Sequence, residues 1–320
     1  MEYLLNLFSN AQQALFEALV QPLIFAMGLT NFLEDGYTAT GWLLVGLLQL
    51  LVMLTVIGRL QRWRPVEAVT DRSAIRVDVI YTLIQQLGIF RLAIFFTLTP
   101  LFDELFGMLR MAGWTTWHLD GLLPGLTHLP WVSFLLYLLV MDFANYVIHR
   151  SQHQFEWWWA LHSLHHSQRQ MTMWTDNRNH LLDDVVRECL FVILAQIIGI
   201  PPGQYVAIVA ITQILENLQH ANVRLWFGHV GERLVVSPRF HRLHHSIGAG
   251  HESISDGKTV LGGHNFSVLF PWWDMLFGTA NFEKRFDATG IRDQVEQGRD
   301  YGTGFWNQQW LGLKRLVGRA

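Results

Sequence analysis

The sequence predicts an all-α, polytopic membrane protein, with about four transmembrane helices and a helical cap on the cytosolic side. Three observations point there. Of the 320 residues, 51% are hydrophobic and only 15% charged, against roughly a quarter charged in soluble domains. Several apolar runs have the length of a bilayer-crossing helix. Arginines are concentrated in one of the connections between those runs, the bias that orients membrane proteins.

The elements follow in order. Residues 1–30 carry Glu2 and Glu17 and no basic residue, so no cleaved secretory signal is expected. Leu4, Leu7, Phe8, Leu15, Leu19 and Leu23 recur at helical spacing, which suits a helix lying in the interface or packed on the bundle. Residues 42–58 are free of charge and make roughly 25 Å of helix, close to a hydrocarbon core's thickness. A second run, 79–102, is interrupted by Arg91, which must face other helices or reach a headgroup. A third covers 129–148. Residues 185–218 are too long for one span and are broken at Pro201, Pro202 and Gly203, which predicts a hairpin that enters the bilayer and returns.

Arg59, Arg62, Arg64, Arg72 and Arg76 place the first connection inside, whereas Arg110 stands alone in the next. Counting crossings from there puts the clustered histidines on the cytoplasmic side. The expected organisation is residues 1–134 with the first two spans, a catalytic segment 135–281, and a peripheral tail 282–320. The formal net charge of −3, with no basic run, excludes a nucleic-acid footprint. The single Cys189 rules out an intrachain disulfide or a cysteine-ligated cluster, so any metal must be held by nitrogen and oxygen.

Fifteen histidines then carry the argument. Asp142, Tyr146, His149 and His153 fall on one helical stripe, with two imidazoles one turn apart and a carboxylate deeper in the span. That carboxylate suits the second N–H of a metal-bound histidine, or pairing with a helix neighbour such as Arg91. His162, His165 and His166 share a second helical face in an HxxHH spacing, and His241, His244 and His245 repeat it. His220 follows Glu216 by one turn on the returning helix and is expected as a further ligand. His180, with Asp183 and Asp184 close behind, reads as a ligand or as its support. His251 and His264 lack a partner at ligand spacing and lie in a loop that could cover the site, and a Gly-rich stretch, 248–263, could shape substrate entry. One ion accepts four to six ligands, so eight to ten imidazoles predict two metals. Few carboxylates and no HExxH base argue against a hydrolase and for iron that activates dioxygen.

The set HRSQH at 149–153, LHSLHH at 161–166, NLQHAN around His220, RFHRLHH at 239–245 and NFSVLFPWWDMLFGTAN at 265–281 resembles the fatty acid hydroxylase and sterol desaturase superfamily of membrane di-iron enzymes. The resemblance covers residues 135–281 and implies that His149, His153, His162, His165, His166, His220, His241, His244 and His245 bind iron, with His180 as a further ligand. Asp142, Glu216, Asp183 and Asp184 would support those ligands. It also implies two iron ions, for which zinc can substitute, dioxygen as co-substrate, and a membrane lipid or sterol-like substrate. The chain departs from some relatives in having Arg224 four residues after His220. The expected activity is lipid hydroxylation. Lipid desaturation, non-catalytic metal binding or transport, and zinc-dependent ester hydrolysis are its rivals.

Electrons must come from a separate donor, a ferredoxin, cytochrome or reductase, because no dinucleotide fingerprint, cysteine cluster or haem-binding segment is present. Arg150, Arg169 and Arg178 are the expected docking residues. Trp157, Trp158 and Trp159 would either line an acyl channel or form an interfacial aromatic belt.

Overall fold

Uncharged apolar stretches form the longest helices, because a backbone shielded from water must satisfy its own hydrogen bonds. The computed structural model describes residues 2–122, 125, 128–255 and 257–320 and is mostly helical, with one two-stranded antiparallel ribbon among the described residues. Internal contacts divide it into two units. The first comprises the residues up to Val52 with Leu83–Gly113, the second Met53–Thr82 with Trp114–Ala320. The expected tail, 282–320, therefore folds with the histidine-bearing helices rather than as a separate segment.

In the first unit, α1 (Glu2–Leu15) precedes α2 (Leu33–Val52), while α3 (Arg72–Gln86) ends in this unit and is followed by α4 (Ile89–Thr97) and α5 (Thr99–Met111). The side chain of Leu4 lies outside the described residues. Small residues on α2 let other backbones approach it closely. A Cβ placed on Gly46 would stand 1.7 Å from the Gln86 carbonyl oxygen. Gly46→Ala is therefore expected to cost on the order of 3 kcal/mol, the upper range for overpacking. A thermal melt of the detergent-solubilised protein checks it, and an unchanged midpoint would contradict the packing. Arg91 faces another helix, its guanidinium lying 3.8 Å from the centre of the ring of Trp42 on α2.

The charge-free first run is part of one helical stretch, Thr30–Trp63, long and apolar enough to cross a membrane. So is α6 (Pro130–Gln154), whose outward positions Leu135, Phe143 and Val147 are exposed. The second expected span is a pair of helices, α3 and α4, broken at Gly88, which takes a left-handed φ of 75°. The expected hairpin exists as α8 (Leu181–Ile198) and α9 (Pro202–Gln219), joined where Gly199 ends one helix and Pro202 opens the next. Neither of these two is among the helices apolar enough to cross alone: Asp183, Asp184, Arg187 and Glu188 charge the first turns of α8, and Gln204, Gln213, Glu216, Asn217 and Gln219 make α9 more polar. The length and composition of the described helices thus support two spans, or three with the broken pair.

The second unit adds α7 (Glu156–His166), α10 (Pro238–His244), the ribbon β1 (Glu252–Ser255) and β2 (Lys258–Leu261), α11 (Trp272–Phe277) and α12 (Phe305–Leu316). Its core joins Tyr137, Leu138 and Met141 of α6 to Ile198, Ile208, Val268 and Leu269. The tyrosine hydroxyl donates to the Gly199 carbonyl at 3.1 Å, tying α6 to the turn of the hairpin. Helix α12 lies against α7, where Arg315 Nε donates to the Ala160 carbonyl at 3.1 Å. Gly312 lets α12 also close on the start of α8, since a Cβ there would fall 2.2 Å from the ring of His180, the residue that precedes Leu181.

Candidate metal centre

Helix α6 runs past the apolar zone and ends at Phe155, so His149 and His153, one turn apart, face the start of α7. Helix α7 presents His162, His165 and His166, α10 presents His241 and His244 with His245 as its C-cap, and His220 caps α9. All nine rings are buried. Their ligand atoms gather into two quartets, His149, His153, His162 and His166 in one and His165, His220, His241 and His245 in the other, the atoms of each within 4.8 Å of one another. His166, His244 and His245 form a third group bridging the two. Histidines far apart in sequence therefore converge on two adjacent positions.

The hydrogen bonds orient the rings for coordination. Carbonyl oxygens accept from Nδ1 of His149 (Phe266, 2.8 Å), His244 (His264, 2.7 Å) and His220 (Glu216, 2.8 Å). A carbonyl can only accept, so each of these Nδ1 atoms carries the proton and each Nε2 presents a lone pair. His162 Nδ1 faces the Asp183 carboxylate at 3.1 Å to the same effect. The remaining nitrogens of this wall, Nε2 of His162 and His244 and both nitrogens of His153 and His166, are buried without a partner. Buried polar atoms left bare in such number are what a bound cation would satisfy.

The second quartet gives a sharper test. Its Nε2 atoms approach at 3.1 Å (His165 to His220), 2.9 Å (His220 to His241) and 3.1 Å (His241 to His245). With one proton available per ring, at most two of these three contacts can be hydrogen bonds. Two nitrogens held at right angles about 2.1 Å from one ion would be about 3.0 Å apart, which matches all three. Burial, reinforced by the neighbouring imidazoles, holds His165, His166, His241 and His245 well below the ordinary histidine range, His244 at about 3 and His220 at about 4. These six imidazoles are thus neutral, the form that binds metal. The residues present fit a pair of metal ions.

The supporting shell differs in part from expectation. Asp183 does brace the cluster, accepting from Gln152 and Trp158 at 2.7 Å as well as facing His162. Asp142 does not reach a histidine. Its carboxylate accepts from the backbone of Leu269 (2.9 Å) and Phe270 (3.2 Å) and from Trp273 Nε1 (2.8 Å), so it anchors the closing segment instead. Glu216 supports His220 through its carbonyl, while its side chain lines a polar cavity with Asp176, Arg187 and Gln219 beside the second quartet. Asp184 is buried on α8 and joins neither group.

His180, expected among the ligands, stands apart. Its Nε2 donates to the Gln309 carbonyl at 2.9 Å, and its Nδ1 accepts from Leu182 N at 3.1 Å as the N-cap of α8. Both nitrogens are therefore used, one by helix capping and one by α12. The docking residue Arg178 is likewise withdrawn from the surface, paired with Asp78 at 2.8 Å. Arg169 is exposed and Arg150 half-buried.

Several contributors were not expected. Asp176 Oδ1 lies 3.4 Å from His220 Nδ1, and burial, with the Glu216 charge nearby, raises its carboxyl well above the usual range. Nothing in its local sequence marks it. Trp158 and Trp159 pack on the cluster: Trp158 donates to Asp183, and Trp159 lies against His153 at 5.1 Å and His166 at 5.4 Å between ring centres. The segment 265–281 is a clamp. Asp274 accepts from Phe266 N (2.9 Å), Ser267 N (2.8 Å) and Thr279 Oγ1 (2.6 Å), while Asn265, at a left-handed φ of 63°, donates to the Phe240 and Asn281 carbonyls. This fold aims the His264 and Phe266 carbonyls at His244 and His149.

The chain spans about a third to a half of the length of the curated relatives it matches. It is 29% identical to the ornithine lipid hydroxylase of Rhizobium tropici over 50% of this chain and 46% of that protein. It is 26% identical to the alkylglycerol monooxygenase of Caenorhabditis elegans over 54% of this chain and 31% of that protein. The human alkylglycerol monooxygenase is 28% identical over 52% of this chain and 34% of that protein. No solved structure matches. The family model described as fatty acid hydroxylase matches residues 134–279, which contain all nine converging histidines and most of the clamp that orients two of them, so this segment of the chain is similar to the fatty acid hydroxylase family.

Proposed function

We propose that this protein is a membrane-embedded di-iron oxygenase that hydroxylates a lipid, with the metal site on the cytoplasmic side. The observation that carries the reading is the pair of adjacent, buried all-histidine quartets. The relatives' names, a lipid hydroxylase and two alkylglycerol monooxygenases, support a lipid as substrate. The arginine-rich first connection supports the sidedness.

His149, His153, His162 and His166 would hold one iron and His165, His220, His241 and His245 the other, with His244 between them. When bound, the irons supply the electron transfer that activates dioxygen toward a C–H bond. The overall balance is one C–H bond and one dioxygen, with two electrons and two protons, giving one alcohol and one water. The chain's own residues fix the imidazoles through Asp183, Glu216 O, His264 O and Phe266 O. The cavity that holds Asp176, Arg187 and Glu216 is lined by His149 and His162 of the first quartet and by His165, His220 and His241 of the second, and its polar wall suits water rather than an acyl chain. A separate ferredoxin, cytochrome or reductase would deliver the two electrons, with exposed Arg169 and half-buried Arg150 as its contacts.

The test is expression in a bacterial host grown under oxygen-18 gas, followed by mass spectrometry of the extracted lipids. The expected result is a lipid that gains one labelled oxygen, absent when His153→Ala is expressed instead. A product lacking two hydrogens would reassign the chain as a desaturase, and turnover without oxygen would remove the oxygenase reading.

A further inference from the structure

The histidine spacings account for nine rings, but the structure buries a tenth beside them. His251 is 1% exposed, and neither of its ring nitrogens has a hydrogen-bond partner. Its ring lies flat against Trp159, 5.2 Å between centres and 17° between planes, and 5.9 Å from the ring of His166. That separation is wider than the 4.6–5.3 Å between neighbouring rings of the first quartet, so His251 stands at the edge of that group rather than within it.

The unpartnered nitrogens are not scattered. Most rings of the cluster have one nitrogen engaged, whereas His153, His166 and His251 have both nitrogens bare. Trp159 touches all three of these rings. The side of the first quartet next to Trp159 is therefore where donors remain unsatisfied. The Glu252 carboxylate stands 4.0 Å from His251 Nε2, beyond hydrogen-bond reach, and a buried imidazole with two bare nitrogens is costly unless one of them binds a cation.

The loop holds His251 there by close backbone contact. A Cβ on Gly250 would meet the His244 carbonyl oxygen at 1.8 Å, and one on Gly263 would meet the Gly250 oxygen at 2.1 Å. Gly250 N donates to Ser246 O at 3.1 Å and Gly262 N to His251 O at 3.2 Å, so the ribbon β1–β2 closes directly behind the histidine. The loop's start is thus pinned to the end of α10, which itself supplies His244 and His245. Burial lowers the His251 ring to about 4, which leaves it neutral.

We propose that His251 is an additional nitrogen ligand of the metal position formed by His149, His153, His162 and His166, delivered by the 248–263 loop rather than by a helix. The inference rests on the reading of the two quartets as metal positions. The test compares the purified full-length protein with His251→Phe, which keeps the ring stacked on Trp159 but removes the nitrogens. Metal content after exposure to a chelator and the visible spectrum of the cobalt(II)-loaded protein are measured. The expected result is that His251→Phe releases one of its two ions about tenfold faster or more and shifts the cobalt bands, while Ile254→Ala, at an 82% exposed position on the ribbon, does neither. His251→Ala should show the same loss and recover the wild-type spectrum on addition of imidazole.

If wild type holds two ions and His251→Phe holds both with unchanged release and spectrum, His251 is a packing residue and the proposal is overturned. If His251→Phe fails to fold, the imidazole response of His251→Ala decides, no recovery counting against ligation. A wild-type protein that binds no metal would instead end the reading of the quartets themselves.

Discussion

His166→Ala is expected to empty both metal positions and bring lipid hydroxylation to background. His166 belongs to the first quartet and also to the bridging group with His244 and His245, and its ring stacks on His245 at 4.2 Å and 15°. Removing it takes a donor from one position and the stacking surface that orients His245 in the other. His220→Ala touches the second quartet alone and is expected to leave about half the metal. Deleting one buried ring costs folding stability of roughly 3 kcal/mol, so a folded protein should persist for the comparison. Elemental analysis of the two purified variants, alongside wild type, reads the result. Full metal content in His166→Ala would show that the ring is structural and that the two positions are independent.

The part of this centre that could be read in the sequence is the part set by helical geometry. HxxxH and HxxHH put imidazoles on one face of a helix whatever the tertiary fold, so the rings of α6, α7 and α10 were visible as candidates. What each ring's other nitrogen touches depends on distant chain. Asp183 and His162 are 21 residues apart, and the carbonyl that holds His149 comes from 117 residues away. No local spacing encodes either.

His180 shows the converse error. Its position after the HxxHH and before two aspartates looked like a ligand, yet those aspartates fall in the first turn of α8 and the histidine caps it. Asp142 was legible as a buried carboxylate needing a partner, but the partner was the backbone of residues 269–270 rather than a ring. His251 escaped because it has no histidine at helical spacing. Its place is set by Gly250 and Gly263 in a loop.

The two buried aspartates make a prediction that separates support of the metal from support of the fold. Asp183 accepts three donors, Gln152 and Trp158 on one oxygen and His162 on the other. In Asp183→Asn one oxygen becomes an NH2 group, so one set of donors must face another donor. If it faces His162, the ring has to move its proton to Nε2, where the metal would bind. Metal affinity is therefore expected to fall about 10–100-fold, and stability by about 1–3 kcal/mol for the unsatisfied donors. Asp142→Asn faces a similar conflict with Leu269 N, Phe270 N and Trp273 Nε1 and should lose stability on the same scale. Its donors touch no ligand ring, so the tautomers survive and metal affinity should change by less than about threefold. Thermal melts in excess chelator compare the folds, and competition against a chelator of known affinity compares the sites. Equal losses of affinity in the two variants would mean that Asp183 acts by holding the helices together, not by fixing the proton on His162.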